Sequence, residues 1–235
     1  MPLNWKLRRA ASHSPSVSFF TIRAAALHAA LTWCAAPAVA STQIFDYEVD
    51  HPWLGKIGTY VNDIVRQGPR TTVTSSLRVV ASILGIVVHR QYADRVELWQ
   101  DGRIVYFDGV TTVNGNAFPV HGEAQGNTFI VTSPDGTAVA PADVYPNNPW
   151  SCAFIHGTMI FAVNTGTVEP AEVTGGEPAP LAIDGKSLQT RHYRVESART
   201  HANVWLNQEC VPVRMDVVIS GTNISLILTG ETDQP

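Results

Sequence analysis

The chain has 235 residues, 45% of them hydrophobic, with 16 Lys and Arg against 20 Asp and Glu and a formal net charge of −4. Four of the basic residues, Lys6, Arg8, Arg9 and Arg23, lie in the first 40, which hold no Asp or Glu, so the remainder carries twelve basic against 20 acidic side chains, a net −8. Its arginines are scattered singly (Arg66, Arg70, Arg78, Arg90, Arg95, Arg103), which offers no counterion-releasing stripe for nucleic acid and no basic patch for anionic headgroups.

Residues 1 to 40 differ in kind from the rest. A positive stretch leads to the apolar run "AAALHAALTWCAA" and then to the small residues "PAVA" before Ser41, the pattern of a secretory leader. The run covers Ala24 to Ala36, short of the roughly 20 residues of a membrane-spanning helix. Cys34 follows the bulky Trp33, unlike the small residues that precede a lipidated cysteine. The expectation is export without a transmembrane segment, cleavage near Ala40, a periplasmic or secreted location, and one domain over residues 41–235.

From residue 41 onward the hydrophobic period is two, not 3.6. "FDYEVD", "KIGTYVNDIVRQ", "TTVTSSLRVVAS" and "ILGIVVHRQYADRVELWQ" predict long strands rich in Val, Ile, Thr and aromatics, with Gly55, Gly58 and Gly85 as bends or bulges. Asp101-Gly102 and Asn114-Gly115 supply the positive φ that two-residue hairpins require, and Asp135-Gly136 and Asp184-Gly185 read as later turns of the same kind. "PADVYPNNPWSCAFI" interrupts the pattern with a short helical turn, and "VEPAEVTGGEPAP" reads as a loop. Near the end, Val211, Val213, Met215, Val217 and Ile219 alternate with polar residues, and a Gly221-Thr222 turn leads to Ile224, Leu226 and Leu228.

The fold class is therefore all-β, an antiparallel meander curled into a barrel or half-barrel, with a two-sheet β-sandwich as the alternative. Two cysteines follow the leader, Cys152 and Cys210; they form a disulfide or stay as buried thiols, and both readings are open.

Candidate chemistry is sparse. The histidines beyond the leader, His51, His89, His121, His156, His192 and His201, show no zinc-motif spacing, and no cofactor is expected. Cys152 precedes His156 by four residues, a weak nucleophile signal for a thiol that could equally be bridged. Alternation puts Glu97 and Trp99 on one face of a strand. If that face is concave, Glu97 reads a ligand group or carries a raised pKa; if convex, it is a solvated carboxylate.

The order "LGKIGTY", "VELWQDGRIVYFDGVTTVNG", "NNPWS", "VWLNQECVPVRMDV" resembles a bacterial family of exported proteins of unknown function. In that family an Ile-Gly strand leads to a Glu-x-Trp-x-x-Gly hairpin, a Thr-x-x-Asn-Gly turn and a late Trp-containing hairpin. The resemblance implies a curled antiparallel sheet like that of lipoprotein carriers. One departure is "QEC" at 208–210, where relatives carry an Asp and Gly turn; it implies a hairpin held differently, through a bridge to Cys152.

A curled sheet of this size leaves a groove unless a helix plugs it, and no segment qualifies as that helix. The leading expectation is binding of an apolar or amphipathic, lipid-like small molecule on the concave face, with Glu97, Trp99, Tyr106 and Trp205 as ligand-binding candidates. The alternatives are an envelope module that docks a protein partner through an exposed strand edge, and an enzyme using Glu97 with a histidine.

Overall fold

The computed structural model describes residues 40–183, 185–219 and 221–234. The leader reading falls outside the described residues apart from Ala40, and so does Asp184 of the expected Asp184-Gly185 turn. The first half of the chain is an unbroken meander of β1 (Ser41–His51), β2 (Gly55–Gln67), β3 (Arg70–Ile83), β4 (Ile86–Gln100), β5 (Arg103–Val113), β6 (Asn116–Gln125), β7 (Thr128–Ser133) and β8 (Gly136–Pro141). Short strands β9 (Tyr145–Pro146) and β10 (Met159–Phe161) flank a 3₁₀ turn at Cys152–His156. The return half comprises β11 (Val168–Pro178), β12 (Leu181–Ile183), β13 (Lys186–Leu188), β14 (Arg191–Ser197), β15 (His201–Leu206), β16 (Pro212–Ile219) and β17 (Thr222–Gln234).

All but β12 and β13 join one 15-stranded sheet in the order β8-β7-β6-β5-β4-β3-β2-β1-β17-β16-β15-β14-β11-β10-β9. Its pairs are antiparallel except β9 with β10, and β12 pairs β13 in a separate ribbon. The first and last strands thus meet in mid-sheet, with Val49 opposite Leu226, and the two halves run outward from that seam. The sheet is not closed; β8 and β9 are its end strands. It curls through bulges, among them shifts at Val49/Asp50, Ala81/Ser82, Leu98/Trp99 and Trp205/Leu206. One curled sheet, not two stacked ones, is the architecture.

Local chemistry explains the turns. Asp101 and Gly102 have φ of 53° and 76°, and Asn114 and Gly115 have 49° and 92°, as hairpins of this length require. Gly85, expected as a bulge inside one long strand, is instead a hairpin turn: Leu84 and Gly85 both lie at positive φ, and the segment folds back as β3 and β4. "VEPAEVTGGEPAP", expected as a loop, is β11. Pairing with β14 overrides its weak strand composition, and Gly175 accommodates a bulge where a Cβ would lie 2.5 Å from the His192 carbonyl.

Alternate residues of each strand face one core. Phe45, Tyr47, Tyr60, Ile64, Val73, Ile104, Phe107 and Phe129 are almost wholly buried on the inner face. Instead of a helix, the irregular connection from β8 to β11 covers part of that face. Its Phe161 ring lies 5.1 Å from Phe107 and 5.6 Å from Phe129, and its Tyr145 and Trp150 rings each lie 5.5 Å from Trp99. Gly122 makes this possible, since a Cβ there would meet the Phe129 ring at 2.5 Å. Arg103 Nε donates to the Ala142 carbonyl at 3.1 Å where the connection begins, and Asn147 Oδ1 accepts from Val163 N at 3.0 Å where it turns back.

The structure pairs Cys152 of this connection with Cys210 of the β15–β16 turn, Cα atoms 5.0 Å apart. The bridge staples the covering segment to the sheet and closes a loop across a separation of 58 residues. Replacing both cysteines with serine is expected to lower unfolding stability by about 4 kcal/mol through lost loop-closure entropy, measured by denaturant titration. Quenching of Trp150 fluorescence by iodide should rise in the same variant.

Candidate functional site

The inner face is not uniformly apolar. β4 sends Ala93, Arg95, Glu97 and Trp99 inward, and all four are buried. Cross-strand register sets Arg95 opposite Ser75 of β3, and Ser75 opposite Asn62 of β2. Asn62, Ser75 and Arg95 therefore form a polar row across three neighbouring strands, with Thr111 of β5 beside it. Ser75 Oγ donates to Asn62 Oδ1 at 2.8 Å, and Arg95 Nη2 donates to Thr111 Oγ1 at 3.3 Å.

Glu97 lies one step further in. Trp99 Nε1 and Trp150 Nε1 donate to its Oε2 at 2.8 and 3.0 Å, and Asn148 Nδ2 approaches Oε1 at 3.5 Å. Asn148 also accepts from the Tyr60 hydroxyl and reaches Ser75 Oγ at 3.5 Å. The "NNPWS" stretch is thereby explained: Asn147 shapes the covering segment, while Asn148 and Trp150 carry it onto the buried carboxylate. Burial pushes the Glu97 pKa from 4.5 up to about 7, against the pull of the three N–H donors and the Arg95 charge. Burial likewise moves Arg95 down and Tyr60 up.

On the other side of the polar row the inner face is open. A cavity of about 790 Å³ runs from Tyr60, Arg95 and Asn148 outward between β1–β4 and β15–β17. Ile57, Leu77, Val79, Met215, Ile224 and Leu226 supply much of its wall. Its mouth lies among hairpin tips that expose Trp53 (83%) and Ile219 (51%). Apart from Tyr60, the ionisable groups lining it among the described residues are His51, His89, Arg95 and Arg199, with no Asp or Glu.

The four ligand candidates separate. Glu97 and Trp99 lie inside, but beneath the cavity floor, tied to each other and to Trp150. Tyr106 and Trp205 face the opposite side of the sheet. Tyr106 packs edge-on against His121, its ring turned outward where the Leu98/Trp99 bulge shifts the register of β5. Trp205 stacks on His192 at 4.6 Å and under Arg214 at 5.5 Å, since its inward neighbours are Val204 and Leu206. These two cannot share a concavity with Glu97. Glu97, with no exposed surface and donors on both oxygens, gives the acid-base reading no support. No group of three or more His, Cys, Asp or Glu residues suited to a metal is present among the described residues.

Arg95 was not a sequence candidate, yet parity could have found it. Arg95, Glu97 and Trp99 alternate along one strand, so an inward Glu97 carries Arg95 with it.

Residues 55–229 match the model of a family described as a domain of unknown function, DUF6134. No curated protein matches the sequence. Among solved structures, the crystal structure of a beta-barrel-like protein of domain of unknown function DUF1849 from Brucella abortus is similar, with TM-score 0.57 and 12% identity over 85% of this chain and 99% of that chain. At that identity the likeness concerns fold alone.

The buried carboxylate has a measurable signature. Its folded pKa exceeds the unfolded one, so the folded state binds the proton more tightly, and the penalty is absent below pH 4.5 and grows until about pH 7. Glu97→Gln is expected to gain stability relative to wild type as pH rises from 5 to 8, by up to about 3 kcal/mol. Paired denaturant titrations across that range should show the gain.

Proposed function

The chain belongs to the DUF6134 family, and we propose that it is an exported, single-domain binding protein that holds an apolar or amphipathic, lipid-like molecule in the open part of its curled sheet. The observation that carries this reading is the apolar-walled cavity of about 790 Å³, which falls within the ~300–1,000 Å³ of small-molecule sites. Ile57, Leu77 and Leu226 are only partly buried along its wall, and a bound apolar chain adds to their burial, where a large side chain gains at most roughly 1.5–3 kcal/mol. The leader pattern of residues 1–40 supports function outside the cytoplasm, in the periplasm or beyond. Among the described residues no helix is long and apolar enough to cross a membrane.

A second reading has its own observation. The β3–β4 hairpin tip exposes Leu84 (98%) and Ile86 (70%), beside exposed Ile83, Val87 and Val88. An apolar tip of this kind suits a protein partner in the envelope. The two readings separate experimentally, because polar substitutions at Leu84 and Ile86 should abolish a crosslinked protein adduct and leave ligand affinity intact.

For the binding reading, protein purified from the exported fraction is expected to carry a small-molecule adduct in native mass spectrometry and to enhance the fluorescence of an apolar naphthalene probe. Ala81→Phe, which pushes a ring into the cavity wall, should weaken the probe at least tenfold without lowering the melting temperature appreciably. Bare protein, together with an unresponsive probe, would defeat the reading.

A further inference from the structure

Three features of the cavity floor point to something narrower than general apolar binding. Arg95 is only 6% exposed and lines the cavity, yet among the described residues its Nε has no hydrogen-bond partner and its side chain makes only a 3.3 Å bond to Thr111. A buried guanidinium is expensive to desolvate and normally has a carboxylate or several acceptors in contact. Glu97, two residues along the same face, does not fill that role, because its oxygens are taken by Trp99, Trp150 and Asn148.

The surrounding charge is complementary to an anion. The part of the chain after residue 40 carries a net −8, yet among the described residues no Asp or Glu side chain lines the cavity, while Arg95 and Arg199 do, beside His51 and His89. The backbone also makes room for the arginine. Gly109 of β5 stands directly opposite Arg95, and a Cβ there would lie 2.9 Å from Arg95 Cγ and 3.2 Å from the Phe107 ring. Asp108-Gly109 is therefore no turn: its glycine lets the Arg95 stem lie flat at the floor.

We propose that the deep end of the cavity is an anion site in which Arg95 receives the single acidic head, carboxylate or phosphate, of a one-chain amphiphile. Arg95 lines the cavity and its guanidinium offers donors to the oxygens of such a head, while Nε itself has almost no accessible surface and is reached only as the side chain shifts. The tail runs along Leu77, Val79 and Met215 toward the hairpin tips that carry Trp53 and Ile219. This inference rests on the binding reading above and specifies its ligand class.

Titration of the delipidated protein at pH 8 with oleate, oleyl phosphate and oleyl alcohol tests it, since the three share a tail and differ in the head. Wild type is expected to bind at least one of the acids tenfold or more tightly than the alcohol, and the better acid identifies the head as carboxylate or phosphate. Arg95→Gln should drop the acids to the level of the alcohol without changing the affinity for the alcohol, and Arg95→Lys should keep part of the preference. Equal binding of acids and alcohol by wild type, or an equal loss of all three in Arg95→Gln, would remove Arg95 as the head anchor while leaving the apolar cavity standing. Failure of folded wild type to bind any of the three would overturn both readings. Should Arg95→Gln fail to fold by circular dichroism, the wild-type ratio and Arg95→Lys decide.

Discussion

A wide sheet that curls has one inner face to protect from water, and this chain covers only part of it. Everything else in the molecule follows from how that face is divided. Meander strands bring large apolar and aromatic side chains to the inside at every second residue. Covering them needs a second layer, and among the described residues no α-helix provides it. The connection between β8 and β11 does so over the Phe107, Phe129 and Trp99 end, held by Arg103, by Asn147 and by the Cys152–Cys210 pair. Beyond that end lies the cavity, whose wall the connection reaches only through residues 147–149 and 162–165.

The polar row of Asn62, Ser75 and Arg95 lies where the two regimes meet. On its covered side, Glu97 acts as a joint between sheet and covering segment, accepting an indole N–H from each. A carboxylate buried this way destabilises the fold once ionised, but it specifies where Trp150 and Asn148 must sit. On its open side, Arg95 and Tyr60 form the floor of the cavity. One strand, β4, therefore serves packing with Trp99, positioning with Glu97 and, in the proposed reading, ligand recognition with Arg95.

Much of the fold was legible in the sequence because its signals are local. Asp101-Gly102 and Asn114-Gly115 demand tight hairpins, and alternation from Val211 to Leu228 demands a half-buried pair. Leu84 carried no such signal: a branched apolar residue at positive φ is held there by the pairing of Ile83 with Ile86, not by its own preference. β11 was hidden by its prolines and glycines, since its pairing is imposed by β14 and β10 from outside. The site was half legible. Alternation correctly joined Glu97 to Trp99, but a single bulge in β5 turned Tyr106 outward, and Trp205 belonged to the wrong parity beside Val204. The covering segment has no periodicity at all, so the meeting of Asn148 and Trp150 with Glu97 depends on tertiary contacts alone.

The central claim is that the inner face is half packed and half open, and that the open half is an occupied site in the working protein. A crystal structure of the protein purified from the cells that make it tests it most directly. The account predicts elongated density between Leu77, Val79 and Met215 with one end within hydrogen-bonding distance of the Arg95 guanidinium. Collapse of β15–β17 onto β2 and β3, with these side chains packed on one another and Arg95 turned out to solvent, would contradict it.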